Sequence, residues 1–455
     1  MKRYDDAGAD TLWPQARTIW IANPFDDIPG EGLPPLRFWS LARVLAARGH
    51  DVVWWTADFS HRRKARRELP ADVAEYEGFG LRLVPVRPYR KNVSLARFAS
   101  HRDYGRNFER IATNAVASGL LERPDLIVAS LPPLEGPEAA ARLAHKLDAA
   151  LVVDLMDLWP ETFERLVPGP EWVRRLLSPL LLGGMARRRS RVLAAADGIA
   201  AATHTYAAVA LAAEPGLAAK PRHVCRLGGA PQEFDPKPRA IPVDSPAENR
   251  PGEIQCVYAG SIEGGQDVEA LIEAAGLLAA DGVAARIHIA GTGRLLDELK
   301  AQAAEIPAQS SCRVTFHGLL GRRAYTRLLS LCDVGLVCVK PHTLVAIPYK
   351  ACDYASAGLA IVNSLPGELA DLLDDYHAGI AYQAGNARSL ADAIRQLAQQ
   401  PRLLADAARG SRRLAETLFD REKTYAAYAD WLESVMREPA DVFDEPLVPA
   451  GSPPV

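Results

Sequence analysis

The stretch "AIPYKACDYASAGLAIVNSLPGE", Ala346 to Glu368, sets Lys350 and Asp353 three residues apart. Residues at that spacing share a helix face, so a short helix here turns a cation and a carboxylate the same way. Pro348 suits the first helical position, where a missing N–H costs nothing. Gly358 is a stop signal, and Leu359–Ser364 has the apolar, β-branched character of a buried strand. A cation, a hydrogen-bonding carboxylate and the positive end of a helix then meet at a sheet edge, which suits an anionic ligand. The competing reading is an ordinary surface ion pair, common and weak.

Other segments raise the same choice. In "NPFDDIPGEGLPPLRFWS", Gly30 and Gly32 lie in a long loop between a strand ending near Asn23 and a helix from about Pro35. Glycine there allows close approach of a ligand, or simply makes a turn. In "VYAGSIEGGQDVEALIEA" a strand ends at Gly260, and Ser261, Gly264, Gly265 and Gln266 lead to a helix at Asp267. Free N–H groups at that start favour an anion, whereas Asp267 as N-cap and Glu263 as a repelling charge oppose it. "ARIHIAGTGRLLDELK" places Gly291 and Gly293 at a third joint, but Leu296 stands where a dinucleotide fingerprint needs its last glycine. In "LVVDLMDLWPETF", Asp154 and Asp157 close a strand, where each meets a ligand or caps the next segment. His101, beside Arg97, Arg102 and Arg106 in a polar stretch, either binds an anionic acceptor or belongs to a solvated face. Nothing has the spacing of a metal site or a nucleophile triad.

These joints need a scaffold of alternating strands and helices. Strands read at "RTIWIANP", "DVVWWTA", "GLRLVPV", "DLIVAS", "ALVVDLMD", "GIAAAT" and "HVCRLGG", then at "IQCVYAG", "ARIHIAG", "RVTFHG", "VGLVCV", "AIVNS" and "GIAY". Helical stretches such as Arg37–Arg48, Pro137–Leu147, Ser389–Gln399 and Arg412–Met436 lie between or after them. Apolar strands alternating with helices imply parallel sheets covered on both faces. The expectation is an α/β chain of two Rossmann-like, doubly wound domains facing across a cleft. Its divisions are an N-terminal extension (1–16), a first Rossmann-like domain (17–229), a proline-rich linker (230–253) and a second Rossmann-like domain (254–411). A helix returning to the first domain (412–436) and a disordered tail (437–455) complete it.

Composition narrows the function. Of 455 residues, 48% are hydrophobic and 24% charged, as in soluble globular proteins, and a net charge of −3 gives no reason to expect nucleic acid. The six cysteines form no C-x-x-C pair and read as reduced thiols of a cytoplasmic protein. The polar N-terminus is neither a signal peptide nor an anchor, and no apolar run reaches the ~20 residues of a membrane span. "EWVRRLLSPLLLGGMARRRSRVLAAADG" remains ambiguous. It docks on an anionic inner-membrane face, or it is a core-facing helix with a solvated basic side.

In order and spacing, several motifs resemble the retaining glycosyltransferases of family 4, which have the GT-B architecture, and among them the bacterial O-antigen and capsule enzymes. They are "RGHDV" (Arg48–Val52), "SLPP" (Ser130–Pro133), "DLWPE" (Asp157–Glu161), Val257–Gln266 and "IPYKACDYASAGLAIV" (Ile347–Val362), within a likeness running from Arg17 to Glu433. The resemblance implies transfer of a sugar from a nucleotide-diphosphate donor, a UDP-sugar favoured, to a lipid-linked or growing polysaccharide acceptor, with retention and without cofactor or metal. It assigns Lys350 to the diphosphate and, with Asp157, to catalysis, and gives Asp353 the ribose. Gly260, Ser261, Gln266, Gly291, Gly293 and Pro348 would line the donor site; Gly30, Gly32, His101 and Arg102 would meet the acceptor. The sequence departs from the family at Val345, where a glutamate is usual, and at Ser261 and Gln266, where an arginine and a lysine clamp the phosphates. Those departures keep open a catalytically silent nucleotide-sugar-binding subunit. A sugar-nucleotide epimerase on the same fold would need acid and base groups that cannot be placed here.

Overall fold

The computed structural model describes residues 16–31, 35–68, 77–92, 94–167, 169–234, 252–263, 265–341 and 343–436. Gly32, Gly264, most of the expected linker and the C-terminal tail lie outside the described residues.

The first sheet has seven strands. They are β1 (Thr18–Ala22), β2 (Asp51–Ala57), β3 (Gly80–Val84), β4 (Leu126–Leu131), β5 (Ala150–Leu155), β6 (Gly198–Ala201) and β7 (Arg222–Val224). All pairings are parallel, in the order β3-β2-β1-β4-β5-β6-β7. The second sheet has six, β8 (Ile254–Ala259), β9 (Ala285–Ala290), β10 (Cys312–Gly318), β11 (Val334–Val337), β12 (Ala360–Asn363) and β13 (Gly379–Ala381). They too are parallel, ordered β10-β9-β8-β11-β12-β13. Every residue of β4, β5, β8 and β9 is buried, so both faces of these strands are covered, and polar Ser130, Asp154, Gln255, Arg286 and His288 are enclosed with the apolar residues. Each sheet reverses its winding beside its first strand, and there the carboxyl ends of the strands open a crevice. These are two Rossmann-like domains facing across a cleft.

The chain crosses between the sheets twice. The expected continuous helix over Arg412–Met436 is in fact divided: one helix spans Pro401–Leu414, a π turn covers Ala415–Phe419, and a second helix spans Arg421–Val435. The break has a local cause. Gly229 bridges to Asp420 as a parallel pair, its N–H donating to the Phe419 carbonyl (2.7 Å) and its carbonyl accepting from Arg421 N–H (3.1 Å). Asp420 then caps the new helix, accepting from Glu422 N–H at 3.1 Å. Helical geometry is given up for one residue so that the two crossings can bond to each other.

The helix Arg421–Val435 packs on the first domain, where Tyr425, Tyr428, Ala429 and Leu432 join a core with Phe38, Leu41, Leu45 and Trp54. Within that core Arg37 makes a bidentate pair with Asp154 (2.8 and 2.9 Å), and Tyr428 donates to the same carboxylate at 2.9 Å. Both charged side chains are fully buried. Asp154, weighed above as a ligand contact, is thus a structural anchor for the C-terminal helix.

Candidate functional site

A cavity of about 630 Å³ opens between the domains. Leu36 and Arg62 face it from the first domain, and Arg421 from the returning helix; Gly260, Ser261, Gly291, Arg322, Tyr325, Pro348, Lys350 and Asp353 come from the second domain. A groove of similar size, about 650 Å³, lies beside the helix Val268–Ala280 and carries Glu273 and Glu305 with no cation. Only the cleft is suited to an anion.

The floor of the cleft is glycine for a steric reason. A Cβ at Gly260 would stand 2.8 Å from Lys350 Nζ, and Gly260 has a φ of +153°. Gly291, at φ +148°, lies against it, and a Cβ there would come within 1.8 Å of the Gly260 carbonyl oxygen. Two strand ends therefore approach each other as closely as backbones can, and the lysine passes over them. Gly293 packs against Ile262 in the same way but does not line the cavity.

Lys350 lies in the first turn of the helix Tyr349–Ser356, with Pro348 as the preceding N-cap residue rather than the first helical one. No side chain caps that turn. Lys350 Nζ donates to Gln266 Oε1 at 3.0 Å and sits 4.1 Å from the centroid of the Tyr258 ring. Tyr258 in turn donates to the Ser261 carbonyl at 2.8 Å. Gln266 itself is held by an antiparallel bridge to Val339. The partners of the ammonium are neutral, and burial pulls its pKa down to about 8. No carboxylate is paired with it among the described residues.

Asp353 turns to the same cavity, one step along the helix. Tyr325 donates to its Oδ2 at 3.2 Å, and Arg322 lies 3.7 Å from Oδ1 while also pairing with Glu233 at 2.7 Å. Burial raises the Asp353 pKa and Arg322 draws it back. The cleft thus holds Arg62, Arg322, Lys350 and Arg421 beside one lining carboxylate; Asp27 pairs with Arg62 at 3.1 Å and Glu233 with Arg322, which leaves Lys350 and Arg421 without an acid in ion-pair contact among the described residues. Arg62, Tyr258, Arg322, Tyr325 and Arg421 were not singled out from the sequence. Arg322 and Tyr325 begin the helix that follows β10, so the strand-then-helix signal was present. Arg421 is contributed by a distant crossing and has no local signature.

The residues expected on the first domain are not brought together at the cavity. Asp157 caps the next turn, accepting from Leu158 N–H at 2.8 Å and from the Thr162 hydroxyl at 3.3 Å. His101 is buried rather than solvated, with ring centroids of Phe25, Phe98 and Trp159 at 5.5, 5.9 and 5.8 Å. Burial and the neighbouring Arg97 lower its pKa to about 3, so it is neutral at pH 7. Arg102, one residue on, is exposed on the opposite side of the helix Leu95–Ala117. Gly30 makes a turn at φ +88°, and neither it nor exposed Val345 lines the cavity. Among the described residues no group of three or more His, Cys, Asp or Glu side chains is arranged to hold a metal ion, and all six cysteines are buried and free.

Two family matches fit this geometry. Residues 36–228 match the family described as glycosyl transferase 4-like domain, and residues 253–400 that described as glycosyl transferases group 1. The chain is a GT-B glycosyltransferase. Solved structures agree with the fold of the transferase. HepE from Anabaena in complex with UDP is 14% identical, covers 92% of this chain and 100% of its own, and has a TM-score of 0.62. A glycosyltransferase from Rickettsia africae (10% identical, 94% and 100% covered) also reaches 0.62. WaaG, a glycosyltransferase involved in lipopolysaccharide biosynthesis, is 17% identical over 91% and 99%, with a TM-score of 0.60. No curated protein sequence matches the transferase.

Proposed function

We propose that this glycosyltransferase takes a sugar from a nucleotide-diphosphate donor, a UDP-sugar by preference, and passes it to a lipid-linked or growing polysaccharide at the cytoplasmic face of the inner membrane, with retention. The observation that carries the donor reading is Lys350, a cation with only neutral partners above a two-glycine floor in the interdomain cleft. HepE, similar in fold, is described in complex with UDP and with UDP-glucose, which favours that donor class.

Transfer breaks the bond between the anomeric carbon and the phosphate oxygen, so negative charge gathers on the departing diphosphate. Lys350 and the uncapped first turn of its helix stabilise that charge most as it develops. Arg421, from the returning helix, adds a cation where the family's usual basic residues are replaced by Ser261 and Gln266, and Arg62, paired with Asp27, lies on the facing wall. Asp353 takes the ribose hydroxyls, with Tyr325 and Arg322 fixing its orientation. Retention places the acceptor hydroxyl on the leaving-group face, where a phosphate oxygen takes its proton. Asp157 orders the loop beneath that approach.

Nucleotide screening by thermal shift, followed by assay of nucleotide release with lipid acceptors, tests this. Stabilisation by UDP and acceptor-dependent release are expected. Binding without turnover would make the chain a silent subunit, and epimer formation without acceptor an epimerase.

A further inference from the structure

The helix Glu171–Ala195 is 25 residues long, yet its buried residues are only Ser178, Arg189, Val192 and Leu193. Its first half therefore stands largely in solvent. Trp172, Leu176 and Leu180 follow one another at steps of four and share a face. They are 69%, 71% and 79% exposed, with Leu181 beside them at 59%. Ten large apolar side chains are exposed among the described residues, and four of the ten are these. Scattered ones are normal on any surface, but a ridge marks an interaction site.

Charge says what covers the ridge. The helix holds six arginines against one acid, Glu171, in a chain whose net charge is −3. Arg188 and Arg189 turn inward, to Glu135 and Glu138 (3.0 and 2.6 Å) and to Glu161 (2.7 Å). Arg187 and Arg191 continue the exposed face beyond Gly184, and Arg175, exposed and paired with Glu171 at 2.6 Å, flanks the ridge. An apolar ridge bordered by arginines matches an anionic bilayer surface. No helix among the described residues is long and apolar enough to cross a membrane, so this one lies on the surface. A two-fold contact with a second copy would set the same arginines against each other.

We propose that Trp172, Leu176, Leu180 and Leu181 enter the interfacial layer of an anionic membrane while Arg187 and Arg191 meet lipid phosphates. The inference deepens the proposed lipid-linked acceptor, but it rests on the helix surface alone. The helix is anchored to the first domain through the loop after β5. Arg189 donates to the Trp159 carbonyl at 3.0 Å, in the loop after β5, and Trp159 packs edge-on against Phe163 at 4.6 Å.

Flotation of the full chain, without donor, on phosphatidylcholine vesicles with and without phosphatidylglycerol tests the proposal. Wild type is expected to float with the anionic vesicles. The triple variant Trp172→Glu/Leu176→Glu/Leu180→Glu should lose about tenfold or more in partitioning. Arg187→Gln/Arg191→Gln should lose about tenfold on anionic vesicles and nothing on neutral ones. Wild type that stays unbound on both, or a triple variant that floats like wild type, overturns it. So does a wild-type dimer in lipid-free buffer that the triple variant converts to monomer, since the ridge then belongs to a second copy. Because no sugar transfer is read, these outcomes are independent of the donor assignment.

Discussion

On one side of the cleft, Arg37 and Asp154 form a wholly buried bidentate pair that also holds Tyr428. On the other, Lys350 is left with an amide and an aromatic ring. The two sheets have related winding, so fold alone does not explain the contrast. In the first domain, charge is satisfied internally and secures the C-terminal helix. In the second, charge is held over glycine backbone and remains available. A buried pair costs more when broken than it contributes when intact, whereas an unneutralised cation matters only to what binds it. The cleft therefore has a structural wall and a chemical wall.

Replacing one member of the structural pair should have the largest effect. Arg37→Met leaves Asp154 as an unpaired buried carboxylate and should cost about 3–5 kcal/mol, read as a lowered urea midpoint. Adding Asp154→Leu should restore much of the loss. If Arg37→Met unfolds like wild type, the contrast between the walls fails.

Lys350→Ala should act on the chemical wall alone. It removes a charge-assisted contact of about 1.5–3 kcal/mol, so UDP affinity by calorimetry should drop on the order of tenfold to a hundredfold with no loss of thermal midpoint. Asp353→Ala should weaken UDP more modestly through the ribose.

The pH dependence sharpens the same point. Burial lowers the Lys350 pKa to about 8, so the ammonium is charged below that pH and lost above it. UDP affinity should therefore fall as pH rises through about 8, and proton uptake should accompany binding near that pH. Lys350→Ala should abolish both signals. A flat wild-type profile from pH 7 to about 9.5 would move the phosphate contact elsewhere. The smallest effect is expected at exposed Arg102, where Arg102→Ala should change stability by less than about 0.5 kcal/mol and leave UDP binding intact.

Much of the scaffold was legible because buried parallel strands leave continuous apolar runs between helices. The second-domain side of the cleft was legible as a meeting place of residues, since Lys350, Gly260, Gln266 and Gly291 lie at strand and helix ends that local signals mark. The first-domain wall was not. His101 sits in a polar string, yet Ser100, His101, Tyr104, Gly105, Phe108, Ala112 and Ala115 are the buried residues of their helix, a helical period that overrides local polarity. Arg37 and Asp154 are separated by 117 positions, and no local pattern links them. Asp420 breaks a helix only because Gly229, far away in the chain, offers it a backbone partner.

That last contact constrains how the cleft can open. Where the chain leaves the first domain, Gly228 and Gly229 lie beside Asp420 and Arg421 of its return, and Gly228 fits so tightly that a Cβ would strike the Arg421 backbone at 2.6 Å. Sliding one domain past the other would tear this two-ply cord, whereas swinging about it need not. The permitted motion is a rotation with its pivot beside Arg421, which keeps that guanidinium at the cleft in every position of the swing.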